Sequence, residues 1–422
     1  MKITTKIKSN MKKSLLLAAL VLIGTGCYAQ KSPLLKKVKS SIMTETPDYN
    51  AARTTIEEAI ASEPNTETYY WAGMIGYQEV TAENYNQLMG KGVNQLKAVD
   101  AVIESIDYWI KADEFAMVPT LDKKGREVVD QKTRNSISKK ILEYYKNQEL
   151  VKYGSYLDEI KDFERGYQAF SRYVAIPDLA MMQNEKMQKE MPRDTIYLQC
   201  KFFAALFAIQ TDRHEEAAKM LSEMKDSEWQ PIRINQFLYQ EYVELKDTAK
   251  FLATLQEAIE KFPQEQWFLK NLINYYIYSG QEQQAVDYLS QVIAREPNEA
   301  QYYLIRGGLN ANIGRYDDAL ADYDNALKLD PTLAEAEAGK GRVYYNQAVK
   351  LNEDAALISD NKAYKKALDE MNEVFRKALP YFEKAHELAP EDPDYMDALK
   401  RLYYRFGMDD KYMEISEKLK SL

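Results

Sequence analysis

Cysteine and histidine are almost absent from this chain. Its 422 residues hold two of each: Cys27, Cys200, His214 and His386. A zinc site needs three or four ligands held together, and histidine and cysteine this sparse and this far apart cannot supply them. Two cysteines give no disulfide framework. Cys200 adjoins the apolar run Phe202–Phe207, which reads as a buried, inert thiol rather than a nucleophile. Glycine (16) and proline (13) are also few, which argues against an all-β protein with its many turns. No glycine-rich loop ends in Lys-Ser or Lys-Thr, and no Gly-x-Gly-x-x-Gly follows a strand pattern, so phosphate-cradling loops are missing. Acid pairs such as Glu215-Glu216 and Asp317-Asp318 read as solvated helix starts, where negative charge meets the positive end of the helix dipole. No catalytic constellation, metal site or cofactor is expected.

Apolar residues make up 45% of the chain and charged residues 29%. A core can therefore form, while long stretches must face water. Tyrosine is abundant, at 32 residues against 4 tryptophans. It suits narrow helical packing, with the ring buried and the hydroxyl at a wet edge. The first 29 residues read as a signal peptide. Lys12 and Lys13 are basic, Leu15 to Ile23 is apolar, and Cys27-Tyr28-Ala29 offers small residues to a peptidase. Nine apolar residues are too few to span a bilayer, which takes ~20. Cleavage after Ala29, with synthesis starting at Met1 or Met11, predicts a secreted, periplasmic or envelope protein. The competing reading makes Cys27 a lipidated N-terminus. Gly26 fits that pattern and Gly24 does not, so the free product is favoured. No later apolar run is long enough to cross a membrane. The leader carries five lysines and no acid, so its loss takes the net charge from −9 to −14. So acidic a chain is a poor partner for nucleic acid or an anionic membrane surface.

The strongest signal is an internal period. Pro263, Pro297 and Pro331 are evenly spaced, and Gly280 and Gly314 are separated by the same interval. That interval also relates Phe251, Ala285 and Ala319, then Leu255, Leu289 and Tyr323, then Ala258, Val292 and Ala326. These columns resemble the tetratricopeptide repeat (TPR), a helix–turn–helix unit of about 34 residues. The clearest copy runs from Ala300 to Asp330, with Gly307 and Gly314-Arg315-Tyr316-Asp317-Asp318-Ala319. The small residue at the 319 column lets the two helices approach. The residue four positions on fills the core from the same face. Glycine at the 314 column ends the first helix, and proline at the 331 column stops the second.

The register extends in both directions. Ala217 lies one period before Phe251, Asp162 to Ala169 resembles another such turn, and Ala52, Ile56, Ala59 and Pro64 repeat the second-helix spacing. Pro331 to Pro390 and Ala319 to Ala378 are both 59 apart, so one repeat carries 25 extra positions, placed in about Leu351 to Lys377. Trp71 and Ala112 suggest a second extended repeat around Gly90-Lys91-Gly92. Pro119 to Gln131 reads as an exposed loop, and its Asp122–Gly125 spacing as a plain turn rather than a cation loop. The expected fold is an all-α superhelix of about eight or nine helix pairs. Its expected parts are a signal peptide (1–29), a leader (30–46), irregular repeats (47–228), regular repeats (229–335), and extended and capping repeats (336–422).

The resemblance implies a role in holding other proteins, with first helices lining a groove for a peptide or partner helix. The groove positions in this register are Arg233, Gln236, Gln240, Lys270, Asn274, Gln301, Arg342 and Asn346. Amides can bond a peptide backbone and cations can catch carboxylates. Lys270 and Asn274 stand where chaperone-adaptor TPR domains begin a carboxylate clamp. Ile305, Glu335 and Gly339 break that clamp, so its function is not carried over. The rival classes are a small-ligand (glycan) binder built on Tyr275-Tyr276, Tyr302-Tyr303 and Tyr344-Tyr345, or an enzyme. Core packing explains the recurring tyrosines better, because they follow the repeat spacing.

Overall fold

The computed structural model describes residues 32–421. The segment expected to be a signal peptide, with Met1, Met11 and Cys27, lies outside the described residues. Contacts divide the chain into two units, one ending at Phe251 and one beginning at Leu252. The first holds helices α1 (Pro33–Ile42), α2 (Tyr49–Ser62), α3 (Thr66–Leu88), α4 (Gln95–Ala116), α5 (Gln131–Lys146) and α6 (Gly154–Glu159). It continues with α7 (Phe163–Ala175), α8 (Glu185–Glu190), α9 (Thr195–Gln210), α10 (His214–Ser222) and α11 (Pro231–Glu244). The boundary falls within α12 (Thr248–Lys261). The second unit holds α13 (Gln266–Tyr278), α14 (Glu282–Arg295), α15 (Ala300–Asn312), α16 (Tyr316–Leu329), α17 (Ala334–Ala355), α18 (Asn361–Leu388), α19 (Pro393–Arg405) and α20 (Asp409–Ser421). The described residues are an all-α helical repeat with one small β-hairpin.

Consecutive helices pair as antiparallel hairpins: α13 with α14, α15 with α16, α17 with α18, and α19 with α20. The small-residue column explains why they can approach. Ala217, Ala285, Ala319 and Ala378 are all fully buried. The aromatic at the next core column needs room on two sides. Tyr323 on α16 lies against Gly307 of its own repeat and Gly339 of the next, where an added Cβ would come within 2.9 and 2.4 Å of its ring. One tyrosine thus welds two neighbouring repeats. The first unit is less regular. There α7 packs chiefly on α9, while α5 meets the short turn Ala180–Met182 and α8.

The turn between the two helices of a repeat is one repeated device. The residue after the first helix is left-handed at Asp212, Lys246, Gly280, Gly314 and Gly407. The first four are separated by one period each. At each of the five, that residue's N–H bonds back to the carbonyl three before it, as Lys246 does to Val243. The next N–H bonds five back, as Asp247 does to Tyr242 and Gln281 to Tyr276. These are Schellman caps, which satisfy the last carbonyls of the helix. Glycine adopts this backbone freely, whereas for lysine it costs about 1–2 kcal/mol. Lys246→Gly is therefore expected to stabilise the protein by about 0.5–1 kcal/mol, after the extra chain entropy of glycine. Gly280→Ala should cost about the same. Chemical denaturation of the two variants checks the opposed signs, and equal signs would refute this account of the turn.

Residues 334–388 hold the extended repeat. Helix α17 has 22 residues where α15 has 13, and α18 has 28 where α16 has 14. The turn 356–360 is also two positions longer than the turn 313–315. Together these differences account for all the extra length, so both helices lengthen past the turn. Helices α3 and α4, of 23 and 22 residues, form a similar long hairpin around a left-handed Gly90.

One expectation needs correction. Residues 119–131 are not a plain loop, because Thr120–Leu121 and Glu127–Val128 pair as a two-stranded antiparallel hairpin. Asp122 closes it by accepting the backbone N–H groups of Lys124 and Arg126 and pairing with the Arg126 guanidinium. That carboxylate is thereby committed to the turn.

Candidate partner-binding surface

Helix α11 carries three of the expected groove residues, and its sequence determines which way they face. Ile234, Asn235, Leu238 and Glu241 are buried along one stripe. Ile234 and Leu238 join a core with Phe202, Ala205, Ala218, Leu221 and Met224. Asn235 locks the approach to the helix by donating to the carbonyls of Lys225 (3.0 Å) and Pro231 (2.9 Å). Pro231 opens the helix, preceded by Gln230 with φ of 44°, a left-handed backbone that costs a glutamine about 1–2 kcal/mol. The opposite stripe is left to solvent. Arg233 and Gln240 are exposed there and Gln236 is half-buried.

These three residues converge. With Gln230, Pro231, Ile232 and Phe237 they line an open hollow of about 530 Å³. The Arg233 guanidinium carbon sits 5.3 Å from the centre of the Phe202 ring and 5.8 Å from that of Phe237. The two rings meet edge-on at 5.6 Å, and Trp229 packs on Phe202 at 5.4 Å. A flat cation over two ring faces is held by the ring quadrupoles, so the aromatic cluster sets the direction of the fork.

The other five positions belong to the second unit. Lys270 and Asn274 are exposed one turn apart on α13, and Asn346 is exposed on α17. Gln301 is half-buried at the start of α15. Arg342 is tied up in an ion pair with Glu335, whose other oxygen accepts from Tyr395 at 2.9 Å. A hollow of about 310 Å³ in this unit is lined by Gln256, Tyr276, Gln284, Tyr288 and neighbours, and includes none of the five. The tyrosine pairs are engaged in packing. Tyr302 is 2% exposed, Tyr344 stacks on Tyr381 at 5.6 Å, and Tyr345 meets Phe375 edge-on at 5.0 Å.

Cys200 is buried, and burial pushes its thiol up to about 12. Among the described residues, no group of three or more His, Cys, Asp or Glu side chains is placed to hold a metal ion. Nor is any described helix long and apolar enough to cross a membrane.

One pair beside α11 escaped the sequence reading. His214 at the start of α10 meets Glu241 of α11, Nδ1 to Oε2, at 2.8 Å. The hydrogen bond to that carboxylate raises the His214 pKa, and burial raises that of Glu241 despite the imidazole. Both groups thus hold a proton more tightly in the folded chain than in the unfolded one. Stability from His214 is full below its ordinary value near 6.5 and is lost as pH rises through the raised folded value. Hydrogen exchange of α10 and α11 should accordingly quicken as pH rises above about 6.5, after correction for intrinsic rates. His214→Gln should flatten that trend, and an unchanged trend in the variant would show that another group is responsible.

The tetratricopeptide repeat family model matches residues 271–334 and 312–370. Among solved structures, a TPR repeats protein from Bacteroides fragilis is 18% identical, covering 62% of this chain and 98% of that one, with a TM-score of 0.35. The crystal structure of MamA is 17% identical, covering 44% of this chain and 93% of that one, with a TM-score of 0.33. The family match falls on the helices whose core columns recur at a fixed period, and residues 271–370 carry tetratricopeptide repeats.

Proposed function

We propose that this chain is a non-enzymatic scaffold of the periplasm or cell envelope, which holds an extended peptide or a partner helix on the solvent faces of its first helices. The observation that carries this reading is the hollow on α11. Arg233, Gln236 and Gln240 surround an apolar floor of Ile232 and Phe237, and none of the three makes a side-chain hydrogen bond or ion pair among the described residues. Side chains with unused donors and acceptors, beside apolar surface open to solvent, suit a peptide better than a small rigid ligand. The compartment rests on the leader: a basic start, a short apolar run and a small-residue cleavage site. Mass analysis of the mature N-terminus distinguishes a free Gln30 from a lipidated Cys27.

In-cell crosslinking from a photoreactive side chain at Gln240, followed by mass spectrometry, tests the role. Reproducible protein partners, lost when the crosslinker is moved to a second-helix position, are expected. An absence of reproducible partners across several growth states would overturn the proposal.

A further inference from the structure

We propose that this chain pairs with a second copy of itself through its first unit. The hairpin at 120–128 of each copy inserts into a hollow between α2 and α4 of the other. Neither surface includes a residue of α11, so the pairing is independent of the scaffold reading.

The first observation is the exposure of the hairpin. Met117, Val118, Leu121 and Val128 are all exposed in one short segment, and Leu121 is 71% exposed. Large apolar side chains gathered on a surface in this way mark a place where something docks. A two-stranded hairpin standing alone is also marginally stable in water. This one has strands of 2 residues each. Asp122 closes its turn, and the Asp130 N–H ties its base to the Ala116 carbonyl of α4 at 3.0 Å. The register pairs Thr120 with Val128 and Leu121 with Glu127, so Leu121 and Val128 point to opposite faces. A finger that is apolar on both faces suits insertion between walls better than packing on a flat surface.

The second observation is a hollow of matching character. Ile60 of α2, Tyr69 of α3, and Tyr108 and Ile110 of α4 give it apolar walls around about 650 Å³. Tyr69 is braced by Phe115, stacked at 5.4 Å, and by Tyr108 at 6.3 Å. Walls fixed in advance reduce the ordering cost of binding. No hairpin residue of the same chain lines this hollow.

The third observation is charge. Lys123 and Lys124 stand at the turn of the finger, and neither makes a side-chain hydrogen bond or ion pair among the described residues. Glu57 stands on the rim of the hollow and is unpaired in the same sense. Asp107 and Glu114 add to that rim, and they already pair with Arg172 and Lys111. A basic finger and an acid-rimmed hollow attract, and such complementarity sets which surfaces meet.

The fourth observation is placement. Ile110 and Glu114 lie in the last two turns of α4, and the hairpin begins just past Ala116. Finger and hollow therefore share one end of α4. When the finger of one copy enters the hollow of the other, a two-fold axis brings the second finger to the first hollow. The contact then closes as a dimer instead of growing into a filament.

The experiment measures sedimentation of the chain from Gln30 over a concentration series. A reversible monomer–dimer equilibrium is expected, weakened by added salt. Leu121→Asp should weaken the dimer at least about tenfold. Lys123→Glu with Lys124→Glu should weaken it, and so should Glu57→Lys. A chain carrying all three charge reversals should dimerise better than either set alone, because finger and rim are then matched again. These positions are exposed, and circular dichroism checks that each variant folds. A photoreactive side chain at Leu121, in a mixture of isotope-labelled and unlabelled chains, should crosslink to peptides of the other copy that contain Ile60, Tyr69 or Ile110. A chain that stays monomeric throughout would overturn the proposal. So would a dimer indifferent to Leu121→Asp, or crosslinks from Leu121 that map only elsewhere.

Discussion

Arg306→Ala is expected to destabilise the second unit by about 3 kcal/mol, measured as lost hydrogen-exchange protection in α15 and α16. Arg306 lies on the first helix of its repeat and donates from Nε to both oxygens of Asp322 (3.2 and 3.0 Å) and from Nη2 to Oδ1 (2.6 Å). It also reaches Ser290 of the preceding repeat at 2.9 Å, and Asn310 donates to Asp322 at 3.0 Å. The Asp322 side chain is 5% exposed. Removing the guanidinium leaves a buried carboxylate with one amide for company, and breaking a buried ion pair in this way typically costs about 3–5 kcal/mol. Water reaching the Arg306 side places the figure at the low end. Adding Asp322→Asn to the variant should recover much of the loss, because the amide needs no counter-charge. A single variant within about 1 kcal/mol of wild type would show that the network is ornamental to stability.

Trp109→Ala should be still more damaging to the first unit, at about 3–5 kcal/mol, the usual range for a large aromatic removed from a core. Trp109 on α4 is fully buried. Its ring lies 5.8 Å from Tyr77 and 5.9 Å from Tyr144, and its Nε1 donates to the Tyr70 carbonyl at 3.2 Å. The indole fits only because α3 has glycine beneath it. A Cβ at Gly73 would come within 2.4 Å of the indole nitrogen and 2.9 Å of the Ser105 carbonyl. Gly73→Ala alone should therefore cost about 1–3 kcal/mol, despite the better helix propensity of alanine. In a Trp109→Ala background part of that cost should vanish, since the indole is gone while the Ser105 carbonyl remains. Thermal unfolding of the two single variants and the double variant measures this coupling. Additive losses would mean that the two helices are not held at this distance by the glycine–indole contact.

Much of this was legible in the residues. The columns at 319, 323 and 326 recur because each unit must bury the same face against the same kind of neighbour, and that demand is written at a fixed spacing. The split of the extra residues between α17 and α18 follows from their helical composition. Other features were hidden because residue type and backbone do not track one another one for one. The left-handed column was visible at Gly280 and Gly314, and invisible at Asp212 and Lys246, where the cap forms on an unfavourable residue. The hairpin at 120–128 has strands of 2 residues each, too short to show any alternation.

The groove residues divide in the same way. The register put Arg233, Gln236 and Gln240 on one face, since i, i+3 and i+7 adjoin on any helix. It also put Arg342 in the same class, although Glu335 on the same helix captures that guanidinium. The repeat, the helix pairs and the side each residue faces were determined by the sequence, because they depend on periodicity along a single strand of chain. Only the tertiary structure decided that Glu335 captures Arg342 while no described acid pairs with Arg233, which aromatic rings lie against Arg233, and which buried acid meets His214. The ring and histidine contacts depend on how α9, α10 and α11 come together, at distances of a few ångströms that no spacing in the chain encodes.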